Sequence, residues 1–170
     1  IVTHGVILER YGIQVLIDAL PRVLAEAPET RLQIFGAGEY RAALEEQVAR
    51  LGLEQSVRFR GFAPLDELLD ALAGADAGYV GMLNDLVLPN KLMEYVAMGV
   101  PVVISRWPTF LHYFPEDSAT YFEPGFADDL AESLLRLYRD PADARRKAER
   151  ALARYQHYRW TVQRERYLEV

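Results

Sequence analysis

The sequence predicts a doubly wound α/β domain, a parallel sheet flanked by helices, and two observations carry the prediction. Short apolar runs alternate along the chain with longer stretches of helical period, the signature of strand-helix units around a parallel sheet. The short runs are β-branched or aromatic, and most stop at Gly or a polar residue, as buried strands do. No internal repeat or low-complexity linker interrupts the alternation, so residues 1–170 read as one domain.

Taken in order, the strands fall at Ile1–Thr3, Arg31–Phe35, Val57–Arg60, Ala77–Val80, Val102–Ile104 and Ala119–Phe122. Between the first two, Gly12–Ala27 carries Ile13, Leu16, Ile17, Leu20, Val23 and Leu24 at steps of three and four, one apolar helical face. Pro21 inside it removes a backbone hydrogen bond and is expected to kink the helix. Tyr40–Leu51 repeats the pattern and ends at Gly52 as its stop signal. Leu65–Ala73, Asn90–Met98 and Ala127–Tyr138 follow, and Ala142–Gln156 is a last helix opened by Asp140-Pro141 as cap and first turn.

Composition narrows the function. A net charge of -6 argues against a nucleic-acid partner, because neutralising phosphates needs an excess of Lys and Arg. The absence of Cys removes disulfides, thiolate zinc sites and a Cys nucleophile together, and fits a cytoplasmic chain. His4, His112 and His157 are too scattered for a metal-ligand pair, so no metal cofactor is expected. No apolar run approaches the roughly 20 residues of a bilayer span, and nothing at the start reads as a signal peptide. The chain opens on Ile1-Val2-Thr3 without a Met, which points to a piece of a longer polypeptide. Arg145, Arg146, Lys147, Arg150 and Arg154 mark the last helix, but Asp143 and Glu149 dilute them into a solvated face rather than a lipid-binding one.

In a doubly wound sheet, ligands sit beyond the carboxyl ends of the strands, where strand order reverses. Chemistry is therefore sought in His4–Arg10, Gly36–Glu39, Gly61–Pro64, Gly81–Lys91 and Ser105–Phe110. In the first of these loops Gly5 lets backbone approach a ligand, and Arg10 offers a fork of donors suited to phosphate. A connecting loop with a solvated Arg10-Glu9 pair is the plainer reading. Gly36-Ala37-Gly38 resembles the start of a dinucleotide fingerprint, but Arg41 stands where the third glycine belongs, and a tight turn explains the glycines equally well. Phe62 either shelves a base or is simply buried.

The segment Leu88-Pro89-Asn90-Lys91-Leu92-Met93-Glu94-Tyr95-Val96-Ala97-Met98-Gly99-Val100-Pro101-Val102-Val103 is more specific. Lys91 and Glu94 share a face near a helix start, whereas Leu92, Tyr95 and Val96 point to the core. The helix dipole favours an anion at this end, not a Lys. An anionic ligand docked between Lys91 and the exposed amides explains the misfit, with Glu94 accepting hydrogen bonds from vicinal hydroxyls such as those of a ribose. The alternative is an ordinary surface Lys-Glu pair.

This segment resembles the signature of family-four retaining glycosyltransferases, the "glycosyl transferases group 1" domain. His4-Gly5 with Arg10-Tyr11-Gly12, the Gly36-Ala37-Gly38 turn, Phe59-Arg60-Gly61-Phe62, Ala75-Asp76-Ala77, Pro124-Gly125, Asp140-Pro141 and Trp160 occur in the family's order, so the resemblance covers nearly the whole chain. It implies the C-terminal, Rossmann-like half of a GT-B fold, holding a nucleotide-diphosphate sugar against an N-terminal acceptor domain that is absent here. The implied activity is glycosyl transfer with retention by the full-length protein, at the cytoplasm or the cytoplasmic face of a membrane, the isolated domain being inactive. By the same resemblance Glu94 binds the donor ribose. Lys91 and the amides near Pro89, Asn90 and Leu92 meet the diphosphate or sugar, and Arg10 is a second phosphate contact. Backbone near Phe62, with Gly5, Gly36 and Gly38, holds base and diphosphate. Lys91 and Arg10 would stabilise charge developing on the leaving group, so no metal is implied.

Three departures stand out. Leu86 occupies the place of the first Glu of the family's pair, so hexose recognition differs or Asp85 takes over. Val6 and Tyr11 replace an Arg and a Lys, leaving Arg10 as the nearby cation, and Pro89 replaces a glycine. Other readings are a nucleotide-binding or scaffold domain without catalysis and a nucleotide-sugar epimerase of the same two-domain type. A receiver-like or flavodoxin-like module shares the layered fold but predicts an acidic phospho-acceptor pocket or a flavin loop, and neither is present. The late aromatics Tyr155, Tyr158, Trp160 and Tyr167 are expected to dock on the absent domain.

Overall fold

The computed structural model describes residues 1–168. Six strands form one sheet: β1 (Val2–His4), β2 (Leu32–Phe35), β3 (Val57–Gly61), β4 (Gly78–Val80), β5 (Val102–Ser105) and β6 (Thr120–Phe122). Every pairing is parallel, and the order is β3-β2-β1-β4-β5-β6. Each strand lies within a residue or two of its predicted place. The helices are α1 (Ile13–Glu26), α2 (Arg41–Arg50), α3 (Leu65–Ala73), α4 (Asn90–Ala97), α5 (Pro108–Tyr113), α6 (Ala127–Arg139), α7 (Pro141–Tyr155) and α8 (Trp160–Leu168).

Side chains alternate across the sheet, and that alternation builds two cores. On one face Leu32, Ile34, Tyr79, Val103 and Phe122 pack with α1, α2 and α6 through Leu16, Leu20, Leu44, Val48, Leu130 and Leu134. On the other, Val2, Val80, Val102, Ile104 and Tyr121 pack with α3, α4, α5 and α7 through Leu72, Leu92, Val96, Phe110, Phe114 and Ala151. The molecule is thus a three-layer α/β/α sandwich, the doubly wound fold that the sequence predicts. From β1 the chain winds outward to β2 and β3; from β4 it winds the other way to β5 and β6. Strand order therefore reverses between β1 and β4, the switch point beyond whose carboxyl ends a doubly wound sheet offers its ligand crevice.

Local chemistry accounts for the elements. Helix α1 continues through Pro21, whose side of the helix is exposed to solvent. The Asp140 carboxylate caps α7 by accepting from the Asp143 amide at 2.9 Å, with Pro141 in the first turn, as expected. Helices α1 and α6 are clasped at their surface by Arg139 to Glu26 at 2.6 Å and Arg22 to Glu132 at 3.0 Å.

Two helices go beyond the sequence reading. Helix α5 is six residues, too short to show a period, and starts inside the loop expected after β5. Helix α8 carries two of the late aromatics, Trp160 and Tyr167, with no residue of it buried among those whose side chains are described. The late aromatics divide. Tyr155 packs against the second core and Tyr158 lies edge-on to Tyr113 at 5.2 Å, whereas Trp160 and Tyr167 stand 67% and 73% exposed. Four of the five basic side chains of α7 have partners: Arg150 donates to the Asp117 carbonyl, Arg154 pairs with Asp117, and Arg146 and Lys147 pair with Asp143.

Candidate functional site

The crevice is built from the loop after β1, which ends in a 3₁₀ turn at Glu9–Tyr11, and the loop after β4, which leads into α4. Backbone zips the two loops together. The Leu83 amide donates to the Arg10 carbonyl at 2.9 Å, and the buried Tyr79 hydroxyl donates to the Gly12 carbonyl at 2.7 Å. Arg10 and Tyr11 are thereby held against the chain that leads from β4 to Lys91.

Tyr11 lies between the cations. The Lys91 ammonium stands 5.2 Å from the Tyr11 ring centre and the Arg10 guanidinium 5.1 Å from it, both within cation-π range. The ring that replaces the family's Lys thus gathers two other cations beside the crevice. Arg10 is exposed, while Lys91 is largely enclosed and lies against Gly5. Burial pushes the Lys91 ammonium down to about 8, against the opposing pull of Glu94, so it remains mostly charged at pH 7.

Glu94, one helical turn further along α4, is half exposed and turns its carboxylate to His4, with Oε2 3.2 Å from Nε2. The surface Lys-Glu pair considered from sequence therefore gives way to separate partners for each residue. His4 closes β1, is nine-tenths buried, and meets the Tyr95 ring edge-on at 5.2 Å. Burial, and then the Lys91 charge, push its imidazole down to about 4. It is neutral at pH 7, so its contact with Glu94 is not an ion pair. Nε2 is buried and, despite the short distance, makes no formed hydrogen bond among the described residues. Sequence reasoning set His4 aside as a metal ligand and placed it at the start of the first candidate loop without a role for its side chain; what turns it to Glu94 is the adjacency of β1 and α4, which the sequence does not display.

The remaining candidates are distributed around this centre. Pro89 is the extended residue before α4, and the Asn90 and Lys91 amides find no backbone acceptor among the described residues. The Leu92 side chain is fully buried and its amide donates to the Pro89 carbonyl at 3.0 Å, so Leu92 offers the crevice neither. Gly36 and Gly38 are glycines for packing. A Cβ on Gly36 would lie 1.9 Å from the Gly5 carbonyl oxygen, and one on Gly38 2.1 Å from that of Ile7. Their lack of a side chain lets the first loop lie on the second, which places Gly5 at the crevice.

Phe62 is 90% exposed at the end of β3, not buried, because it follows the last strand residue and points past the edge of both cores. Asp85 is anchored away from the opening. One carboxylate oxygen accepts from the Thr109 amide at 3.3 Å, at the start of α5, and the other is buried. Leu86 beside it is 74% exposed, with Val87 and Val6 50% and 56% exposed, so this rim is apolar. No helix among the described residues is long and apolar enough to cross a membrane, and no group of three His, Cys, Asp or Glu among them is placed to hold a metal.

This architecture has known counterparts. The chain is 28% identical over 141 residues to a GDP-mannose-dependent monoacylated alpha-(1-6)-phosphatidylinositol monomannoside mannosyltransferase of Corynebacterium glutamicum, covering 79% of this chain and 36% of that protein. It is 31% identical over 147 residues to the amylovoran biosynthesis glycosyltransferase AmsK of Erwinia amylovora, covering 79% and 35%. The chain thus spans about a third of the length of these relatives. Among solved structures, HepE of Anabaena, crystallised with UDP and glucose, superposes with a TM-score of 0.82 at 23% identity over 92% of this chain and 43% of that one. The C-terminal domain of the group 1 glycosyl transferase LpcC of Francisella tularensis superposes with a TM-score of 0.78 at 19% identity over 91% and 83%. The profile described as "Glycosyl transferases group 1" matches residues 1–140, and with the ordered motifs and the β1–β4 crevice it establishes that the chain belongs to the glycosyl transferases group 1 family.

Proposed function

We propose that this chain binds a nucleotide-diphosphate sugar in the β1–β4 crevice and, as the donor half of a longer glycosyltransferase, serves hexosyl transfer with retained anomeric configuration. The convergence of Arg10, Tyr11 and Lys91 from two loops at the switch point of the sheet carries the reading. Two cations and the Asn90 and Lys91 amides at the start of α4 make a place for a diphosphate. Glu94 stands beyond them at the distance of a helical turn to accept from a ribose diol. Phe62, exposed past β3, offers a face on which a base can stack. Departure of the nucleoside diphosphate leaves negative charge on its phosphate oxygens, and Lys91 with Arg10 would meet it as it develops, without a metal. The fold neighbour crystallised with UDP and glucose supports a nucleotide-sugar ligand for this kind of domain.

One observation favours a second reading, nucleotide binding without transfer. Val6, Leu86 and Val87, exposed on the two loops, bring no polar group for the sugar, and one Asp85 carboxylate oxygen is held at α5. Calorimetric titration with UDP, GDP and ADP tests the common part of both readings. One nucleotide should bind and be weakened by Glu94→Ala and by Lys91→Ala with the circular dichroism of the fold unchanged. Absence of binding by all three would refute it. Product formation by the parent protein separates the two: retained product supports transfer, no product supports binding alone, and inverted product overturns the proposed stereochemistry.

A further inference from the structure

We infer that His4 is a positioning residue that holds the Glu94 carboxylate for the ribose of the nucleotide, an inference that rests on the reading of the crevice given above. The observation behind it is a buried polar atom facing one particular group. His4 is nine-tenths buried, its Nε2 has no formed hydrogen bond among the described residues, and that nitrogen stands 3.2 Å from Glu94 Oε2. Packing alone does not account for an imidazole here. The edge-on contact with Tyr95 at 5.2 Å would be served equally by an apolar ring, and burying an unpaired ring nitrogen costs free energy.

The neutral imidazole, with its proton on Nε2, resolves this cost once the Glu94 carboxylate, 3.2 Å away, turns into line to accept it. The nearby Lys91 charge also favours the neutral ring, since a second positive charge at His4 would be repelled. Glu94 needs such a tether. It is half exposed, on a side chain with three rotatable bonds, and left free it would point to solvent as often as into the crevice. With Oε2 drawn toward β1, the carboxylate faces the crevice and keeps lone pairs for the two hydroxyls of a ribose. A 2′-deoxyribose offers only one of those donors. His4 therefore acts on the preference for ribose over deoxyribose rather than on phosphate binding.

The test compares UDP, GDP and ADP with their 2′-deoxy counterparts by calorimetry on the chain and on its His4→Leu and His4→Gln variants. The wild-type chain should prefer the ribonucleotide, His4→Leu should reduce that preference by about tenfold, and His4→Gln, which keeps an N–H donor, should restore most of it. A merely structural role for His4 would weaken both forms alike and leave their ratio unmoved, and an unmoved ratio in His4→Leu overturns the inference while the nucleotide reading stands. If no nucleotide binds the wild-type chain, the reading of the crevice falls and the inference with it. A ligand-free arm stands beside these. Ring ¹⁵N shifts should show the Nε2–H tautomer of His4, displaced by Glu94→Gln; an Nδ1–H tautomer insensitive to Glu94 overturns the tether.

Discussion

Raising the pH from 7 to 9 should weaken nucleotide binding while making the empty chain more stable, because both effects turn on the proton of Lys91. Burial holds that ammonium at about 8, against an ordinary 10.5. The sign follows from proton counts. Between these two values the unfolded chain keeps its Lys proton while the folded chain has lost it, so stability rises with pH through that window. From pH 7 to 9 the gain from this one group is about 1 kcal/mol. Binding runs the other way. At pH 9 only about a tenth of the folded chains carry charged Lys91, so a diphosphate that requires the charge should bind about tenfold more weakly than at pH 7. Tyr79 and Tyr95 limit the window from above: burial raises both phenols, which lowers stability once the unfolded tyrosines ionise near pH 10. The assay is calorimetry with the tightest-binding nucleoside diphosphate at half-unit steps, beside urea unfolding at the same pH values. Lys91→Met should abolish both inflections. A wild-type affinity that stays flat from pH 7 to 9, or an inflection that survives in Lys91→Met, would refute the placement of this ammonium.

Two further perturbations probe the frame around it. Replacing Tyr11 with Leu removes the ring shared by Lys91 and Arg10, and should lower nucleoside diphosphate affinity about threefold to tenfold while Tyr11→Phe stays near wild type; equal behaviour of Leu and Phe in titration would discount the ring. Gly36→Ala forces a methyl group against the Gly5 carbonyl from a backbone with φ near +111°, and should destabilise the fold by about 2–4 kcal/mol. Urea unfolding measures it, and a loss below half a kcal/mol would mean the two loops separate without cost.

Much of the fold was legible because most of its elements carry a local signal in their spacing or caps. The face of α1, the short apolar strands and the Asp140-Pro141 start of α7 are local signals, set by spacing and capping within a few residues. The elements that escaped have no such signal: α5 is shorter than two turns, and α8 offers no apolar face to read. In the site, the Lys91 and Glu94 motif was legible for the same reason, since both lie within one turn of one helix. Leu92 and Asp85 were harder, because the motif marks positions and not which atoms are free: the Leu92 amide is spent on Pro89, and one of the two Asp85 carboxylate oxygens on Thr109.

What the sequence determined by itself was the alternation of strands and helices, the family, and the short list of loops that gather at the carboxyl edge of the sheet. Local propensity and periodicity act over a few residues and are written in their order. Only the tertiary structure decided that His4 faces Glu94, that one tyrosine ring gathers Lys91 and Arg10, and that Phe62 stands in solvent. These pairings join residues some eighty to ninety positions apart. They arise because reversal of strand order puts β1 beside β4, and a parallel sheet delivers every strand's last residue to the same edge.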